Sequence, residues 1–91
     1  MKIEKISWDQ ETADHISNHL VSPEEVEEVL FNDADTPLMM RGKEDKYLAH
    51  GKTHGGRLLF IVWASKHRKT KIMTARDMTE KEKRFYRRRK E

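Results

Sequence analysis

The residues of this chain best suited to chemistry are cations that lie on or beside predicted strands. They are Arg41, Lys43, Lys46, Arg57, Lys71 and Arg76. Aromatic side chains are interleaved with them, at Tyr47, Trp63 and Tyr86. Guanidinium groups match phosphate oxygens, and aromatic faces stack on bases. A sheet face lined in this way would suit single-stranded RNA. The alternative is that these cations are ordinary solvent-side residues of a sheet.

Arg76 ends the last predicted strand, which alternates apolar and polar residues over 72–77. The alternation places Arg76 on the same face as Ile72 and Thr74, at the rim of a core face. A guanidinium in that position could meet a phosphate. The alternative is structural: Arg76 pairs with an acidic residue such as Asp9 or Glu82 and holds the last helix in place.

The histidines give weaker signals. His15 and His19 have the i, i+4 spacing of a two-histidine zinc arm, but a third ligand is missing, so a structural or surface role is favoured. His50 has a side chain whose ordinary pKa suits proton transfer near neutral pH. We expect neither a metal nor a cofactor.

Charge is divided unevenly along the 91 residues, whose net charge is +3. Residues 1–35 hold two lysines against ten Asp and Glu, a net charge of −8. Residues 36–91 hold seventeen Lys and Arg against six Asp and Glu, a net charge of +11. This division predicts an acidic flank and a basic working surface whose partner is a polyanion.

Composition excludes several classes of protein. The chain has no cysteine, which excludes a disulfide scaffold and a cysteine nucleophile and fits a reducing cytosol. The longest apolar run, Leu58 to Ala64, is too short to span a membrane. Residues 1–5 lack the apolar segment of a signal peptide, so we expect no export. The length fits a single domain over 1–91.

Capping signals predict three helices. Asp9 can cap a helix over 10–19, which carries one apolar stripe. The Ser-Pro-Glu-Glu motif at 22–25 is a capping box that starts a second helix. The Thr-Glu-Lys-Glu motif at 79–82 is another, and it starts a C-terminal helix that ends in a basic run.

The centre of the chain predicts strands. Four are expected, over 37–40, 46–51, 57–65 and 70–76, and a short edge strand is expected over Ile3–Ser7. The third of the four is apolar on both faces, which is typical of a covered central strand. Short loops between consecutive strands predict a mainly antiparallel sheet. The fold class is therefore α+β, in the order β-α-α-β-β-β-β-α, with five strands and two N-terminal helices on one face.

Together these segments resemble the BrnT-type toxin family, which belongs to the broader RelE-like ribonuclease toxins. The matching stretches run in family order over nearly the whole chain: Trp8-Asp9, His19 to Val26, Lys46 to Thr53, Gly56 to Leu59, Ile72 to Arg76, and Thr79, Glu82 and Tyr86. Thr12 stands where the family often has a lysine, so no role of that lysine is carried over.

The resemblance implies a RelE-like fold and a cytoplasmic, prokaryotic toxin of a type II toxin–antitoxin system. It also implies cleavage of RNA, in particular mRNA, without a metal. The implied partner is an antitoxin, commonly of ribbon-helix-helix type. The toxin would contact operator DNA only through this antitoxin. The alternative is a non-catalytic module that binds nucleic acid or antitoxin.

The resemblance supports Arg76 and Tyr86 as site residues, and residue chemistry adds His50 and the cations and aromatic residues of the strands. Arg76 would stabilise charge on the phosphoryl oxygens, and His50 or Tyr86 would transfer protons. For Tyr86, the alternative is a core anchor beside Phe85. The candidate residues for RNA binding are Arg41, Lys46, Tyr47, Arg57 and Lys71.

Overall fold

A computed structural model of the chain describes residue 3 and residues 5–90. These residues form three helices and one antiparallel sheet with the strand order β1-β2-β3-β4. The elements are α1 (Gln10–Ser17), α2 (Pro23–Leu30), β1 (Leu38–Arg41), β2 (Lys46–Lys52), β3 (Leu58–Lys66), β4 (Lys69–Asp77) and α3 (Glu80–Lys90). The predicted α+β class and the predicted order of these seven elements are confirmed.

The strand predicted over Ile3–Ser7 differs from the prediction. It includes Glu4, which lies outside the described residues. Ile6 makes a single parallel bridge to Thr70 on β4, and the Ser7 N–H donates to the Thr70 carbonyl at 2.8 Å. The described residues therefore contain a four-stranded sheet with one bridge at its β4 edge, instead of the predicted five strands.

Side-chain caps start the helices, as the sequence predicts. The Asp9 carboxylate accepts the Thr12 N–H at 2.7 Å. The Ser22 hydroxyl accepts the Glu25 N–H at 3.2 Å, while the Glu25 carboxylate accepts the Ser22 N–H at 3.1 Å. The Thr-Glu-Lys-Glu motif at 79–82 repeats this reciprocal pair, at 3.2 and 2.8 Å. Because each cap satisfies donors that the first turn leaves unpaired, it fixes where its helix begins.

The main core lies between one face of the sheet and helices α1 and α2. Ile16 on α1 and Val29 on α2 are fully buried in the same cluster as Leu59 and Ile61 on β3. Helix α3 lies across the opposite face, where its Phe85 ring meets the ring of a β2 residue. The strand β3 is thus covered on both faces and paired on both edges, as its apolar sequence predicts.

Helix α2 packs directly against the backbone of β2 at Gly51, which gives a testable prediction. A methyl group at this position would lie 2.6 Å from Val29 Cγ1 and 3.0 Å from Pro37 Cβ. Gly51→Ala is therefore expected to lower the free energy of unfolding by about 1–3 kcal/mol, measured by urea denaturation. The control is Gly55→Ala, where the nearest atom is 3.9 Å away and the expected change is within about 0.5 kcal/mol. Equal losses in the two variants would contradict this packing.

A β-bulge between β3 and β4 corrects the predicted orientation of Arg76. Val62 pairs with Thr74, but Trp63 pairs with Ile72, so β4 carries one extra residue between them. An extra residue reverses the alternation of faces beyond it. Arg76 consequently shares a face with Thr74 but lies on the opposite face from Ile72, away from the main core.

Candidate functional site

Three residues from neighbouring strands form one row across the sheet face that α3 covers. His50 on β2 pairs with Phe60 on β3, and Phe60 pairs with Arg76 on β4. Neighbouring strands are about 4.8 Å apart, so the backbones of His50 and Arg76 are separated by about 10 Å with one ring between them. The structure thus brings together two of the three predicted catalytic residues.

The Arg76 guanidinium is held in a fixed position. Its carbon lies 4.4 Å from the centre of the Phe60 ring. Its two terminal nitrogens donate to the two carboxylate oxygens of Glu82 on α3, at 2.7 and 3.0 Å, and one of them also donates to the Asp77 carbonyl at 3.0 Å. The hydrogen bonds raise the pKa of Arg76 and lower that of Glu82. The structural partner anticipated for Arg76 is therefore Glu82, not Asp9.

His50 is held neutral between two aromatic rings. Its ring centre is 5.1 Å from that of Phe60 and 5.2 Å from that of Phe85, and the residue is only 4% exposed. Burial lowers the pKa of His50, and the positive charge of Arg76 lowers it further, against the opposing influence of Glu82. Its Nδ1 atom is buried and has no hydrogen-bond partner among the described residues. A neutral imidazole at neutral pH can accept a proton.

A cleft of about 350 Å³ opens beside this row, between α3 and strands β1 to β3. Its lining is mostly apolar, with one cation and one carboxylate, and comprises Met40, Leu48, His50, Phe60, Lys81, Glu82 and Phe85. A largely apolar cleft with a few convergent polar groups is the usual form of a ligand site. We call the row His50–Phe60–Arg76 with this cleft the central site.

Arg57 is engaged inside the protein and lies outside the central site. It donates to the Asp77 carboxylate at 2.7 and 3.1 Å, to the Glu25 carboxylate at 3.1 Å, and to the Leu20 carbonyl at 2.6 Å. These contacts raise the pKa of Arg57, chiefly through the bond to Asp77. Arg57 joins the end of α1, the start of α2 and the end of β4. To bind RNA, Arg57 would have to release contacts that tie these three elements together.

The remaining RNA-binding candidates divide between the two faces of the sheet. Lys46 and Lys71 both pair with Ala64, so they form a second row on the face of the central site. Arg41 pairs with Tyr47 on the opposite face, and the Tyr47 ring stacks on Trp63 at 4.5 Å. Only the two lysines therefore share the face of the central site, and Lys71 also lines a separate cleft with Asp9 and His15.

Tyr86 lines a different cleft from His50. Its neighbours there are Asp35, Lys52, Arg87 and Lys90. The residue is 4% exposed, and burial raises the pKa of its hydroxyl. The phenol therefore stays protonated at neutral pH, and in a proton transfer it could serve only as an acid.

The two-histidine motif spans the end of α1, which stops at Ser17 rather than at the predicted residue 19, so His19 lies in the turn that follows. The rings of His15 and His19 meet edge to face at 5.7 Å, and His15 Nε2 lies 3.2 Å from the Thr74 hydroxyl. Among residue 3 and residues 5–90, no three His, Cys, Asp or Glu side chains come together in a geometry that could hold a metal. None of the helices in the same ranges has the length and apolarity to cross a bilayer.

Phe60 is the residue of the central site that sequence reasoning missed. Because Phe60 lies within the apolar run 58–63, the sequence pattern predicts only that it belongs to the core. Its contacts with His50 and Arg76 depend on the register of three strands, and the β-bulge decides which residue faces it. The only sequence signal is that Phe60 alternates with the fully buried Leu59 and Ile61, which places it on the second face.

The fold and the central site define a class: a small α+β protein that presents an arginine and a neutral histidine across an aromatic ring on one sheet face. Compared with known protein families, residues 8–82 match the ribonuclease toxin family BrnT of type II toxin–antitoxin systems. The match covers most of the chain, and the chain belongs to this family. Membership of a type II system implies an antitoxin partner. Comparison with curated proteins gives no match.

Proposed function

We propose that this toxin is a metal-independent endoribonuclease that cleaves mRNA and thereby inhibits translation. The observation that carries the proposal is the juxtaposition of a fixed guanidinium and a neutral, buried imidazole against the same Phe60 ring. These are the groups that attack of a 2′-hydroxyl on its neighbouring phosphate requires. The family match supports the ribonuclease class.

The proposed reaction uses His50 as the base and Arg76 as the charge stabiliser. His50 takes the proton of the 2′-hydroxyl, whose oxygen then bonds to phosphorus. The bond from phosphorus to the 5′ oxygen breaks, and that oxygen takes a proton from a water molecule, which in turn takes the proton that His50 holds. The products are a 2′,3′-cyclic phosphate and a 5′-hydroxyl, and His50 is neutral again. Arg76 opposes the charge that develops on the phosphoryl oxygens. Tyr86, which lines the other cleft, takes no part in this scheme.

The acid side of the pH profile tests the role of His50. A general base must be unprotonated, and burial lowers the pKa of His50 below its ordinary value of 6.5. We therefore expect kcat/KM for a short RNA to hold steady as the pH falls through 6.5 and to decline only at lower pH. An acid limb centred at or above 6.5 that persists in His50→Gln would show that another group titrates.

The resemblance to BrnT-type toxins also carries finer expectations, which we adopt as part of the proposal. They are a RelE-like fold, a prokaryotic origin, a cytoplasmic site of action and an antitoxin of ribbon-helix-helix type that alone contacts operator DNA. The four-stranded antiparallel sheet with helices on both faces is compatible with such a fold.

We propose that the antitoxin covers the face of the central site and competes there with RNA. Residues 36–91 carry a net charge of +11, which would attract either an acidic polypeptide or RNA. Purified toxin should therefore bind labelled RNA more weakly as antitoxin is added. RNA affinity alone should fall steeply between about 50 and 200 mM salt, because phosphate contacts release counterions. Simultaneous binding of both partners would refute occlusion, and salt-independent RNA binding would refute the electrostatic argument.

A second candidate function is a non-catalytic module that binds nucleic acid or antitoxin. One observation favours it: Glu82 and the Asp77 carbonyl already accept hydrogen bonds from the terminal nitrogens of Arg76. An RNA cleavage assay separates the two functions, because only the ribonuclease yields products ending in a cyclic phosphate. Induced expression with and without antitoxin, read as growth, provides the cellular counterpart.

A further inference from the structure

A second polar cleft lies on the same side of the sheet as the central site, towards the C-terminal end of α3. It has a volume of about 380 Å³ and is lined by Asp35, Lys52, Tyr86, Arg87 and Lys90. Three cations and one carboxylate give it a net charge of +2. We call it the distal cleft.

The two lysines of the distal cleft are held by one carboxylate. Asp35 lies 3.1 Å from the Lys90 ammonium and 3.4 Å from that of Lys52. Lys90 also donates to the Thr36 carbonyl. These contacts lower the pKa of Asp35, chiefly through Lys90, and keep both ammonium groups at the cleft. Their positions are therefore set before any ligand arrives.

Tyr86 and Arg87, the other two groups of the cleft, can still bind a ligand. The Tyr86 hydroxyl is buried and has no hydrogen bond among the described residues. The nearby Asp35 carboxylate adds to the rise in its pKa that burial causes. Arg87 is exposed and has no ion pair within residues 5–90. A buried hydroxyl without a partner is uncommon, and a ligand that accepts its hydrogen bond would remove the deficit.

The distal cleft and the central site lie at neighbouring positions along β2 and α3. His50 and Lys52 are two residues apart on β2, so their side chains lie on one face about 7 Å apart. Phe85 and Tyr86 are consecutive on α3, and each faces one of the two clefts. Across the sheet, the backbone of Lys52 is about 12 Å from that of Arg76, a separation that one extended RNA strand can span.

We infer that the distal cleft binds a backbone phosphate of the RNA strand whose scissile phosphate lies at Arg76. The inference rests on the proposed ribonuclease function. Tyr86 donates its hydroxyl hydrogen to a phosphate oxygen, Arg87 supplies a guanidinium fork, and Lys52 adds a point charge. A phosphate is favoured over an acidic side chain of the antitoxin because the cleft continues the face on which the RNA reacts.

The test measures binding of a short, fully 2′-O-methylated RNA, which cannot be cleaved. Arg87→Ala should weaken binding about tenfold at low salt, and the slope of log affinity against log salt should fall by about 0.7, the value for one lost contact to a single strand. Tyr86→Phe should weaken binding several-fold with no change in that slope, because it removes a neutral donor. Arg88→Ala is the matched control, since it removes the same charge from the adjacent exposed position on α3.

Equal losses in Arg87→Ala and Arg88→Ala would overturn the inference, since general attraction would then account for both. A loss of antitoxin binding without a loss of RNA binding would also overturn it, and would assign the cleft to the protein partner. The two proposals fail separately. A toxin that binds RNA as described but never cleaves it would retain the distal cleft and lose the ribonuclease mechanism.

Discussion

Arg76→Ala is expected to lower the rate of RNA cleavage by about 10²–10³-fold, as the loss of one preorganised group that stabilises transition-state charge does elsewhere. The guanidinium is already oriented by the Phe60 ring and by Glu82, so it needs no rearrangement when the charge develops. Arg76→Lys should restore only part of the rate, because an ammonium cannot maintain the two-pronged contact with Glu82.

The same substitution also tests the structural interpretation of Arg76. Removing the guanidinium leaves the Glu82 carboxylate, which is only 20% exposed, with the Thr79 N–H as its remaining partner. We therefore expect a loss of about 1–2 kcal/mol in the free energy of unfolding. A variant that melts far below the wild type, but whose folded fraction cleaves RNA normally, would assign Arg76 to the attachment of α3 alone.

Arg57→Ala is the matched control for Arg76→Ala. It removes the same group from a site where the donors serve Asp77, Glu25 and the end of α1. Its expected effect is the reverse: a clear loss of stability with little change in the cleavage rate of the folded protein. Measuring the melting temperature and the single-turnover rate of both variants separates the roles of the two arginines.

The contrast between these arginines shows where sequence reasoning succeeds and where it ends. Caps at Asp9, Ser22 and Thr79 depend on residues three positions apart, and each was predictable because its partner is local. The partners of Arg57 lie 20 or more residues away, so no local pattern predicts them. The Glu82 partner of Arg76 is only six residues away and is predictable from the sequence, but the contact of Arg76 with Phe60 depends on strand register. Both arginines could therefore be recognised as candidates, but not assigned to different faces.

The β-bulge is the clearest case of information that the sequence pattern did not provide. The alternation from Ile72 to Arg76 predicts one face for both residues, and a single extra residue reverses that result. The same register brings His50 and Arg76 together across Phe60. The central site could be named in part from residue types and from the family resemblance, but its geometry depends on that irregularity.

The position of β3 supports the second prediction of large effect. Leu59→Ala is expected to lower the free energy of unfolding by about 2–5 kcal/mol, and Ile61→Ala by a similar amount. Both side chains are fully buried beneath α1 and α2, where truncation leaves a cavity that the close-packed core cannot readily fill. A domain of this size has only about 5–15 kcal/mol in total, so such a loss would leave the fold marginal.

Leu58→Ala is the matched control for Leu59→Ala, since it truncates the same residue type one position earlier on the same strand. Leu58 lies on the opposite face and is only partly buried. Its loss should therefore be smaller, because less apolar surface returns to water and no enclosed cavity forms. Urea denaturation of the two variants compares the faces directly. A free energy of unfolding for Leu59→Ala within about 1 kcal/mol of the wild-type value would contradict this position of the main core. A loss no larger than that of Leu58→Ala would contradict it as well.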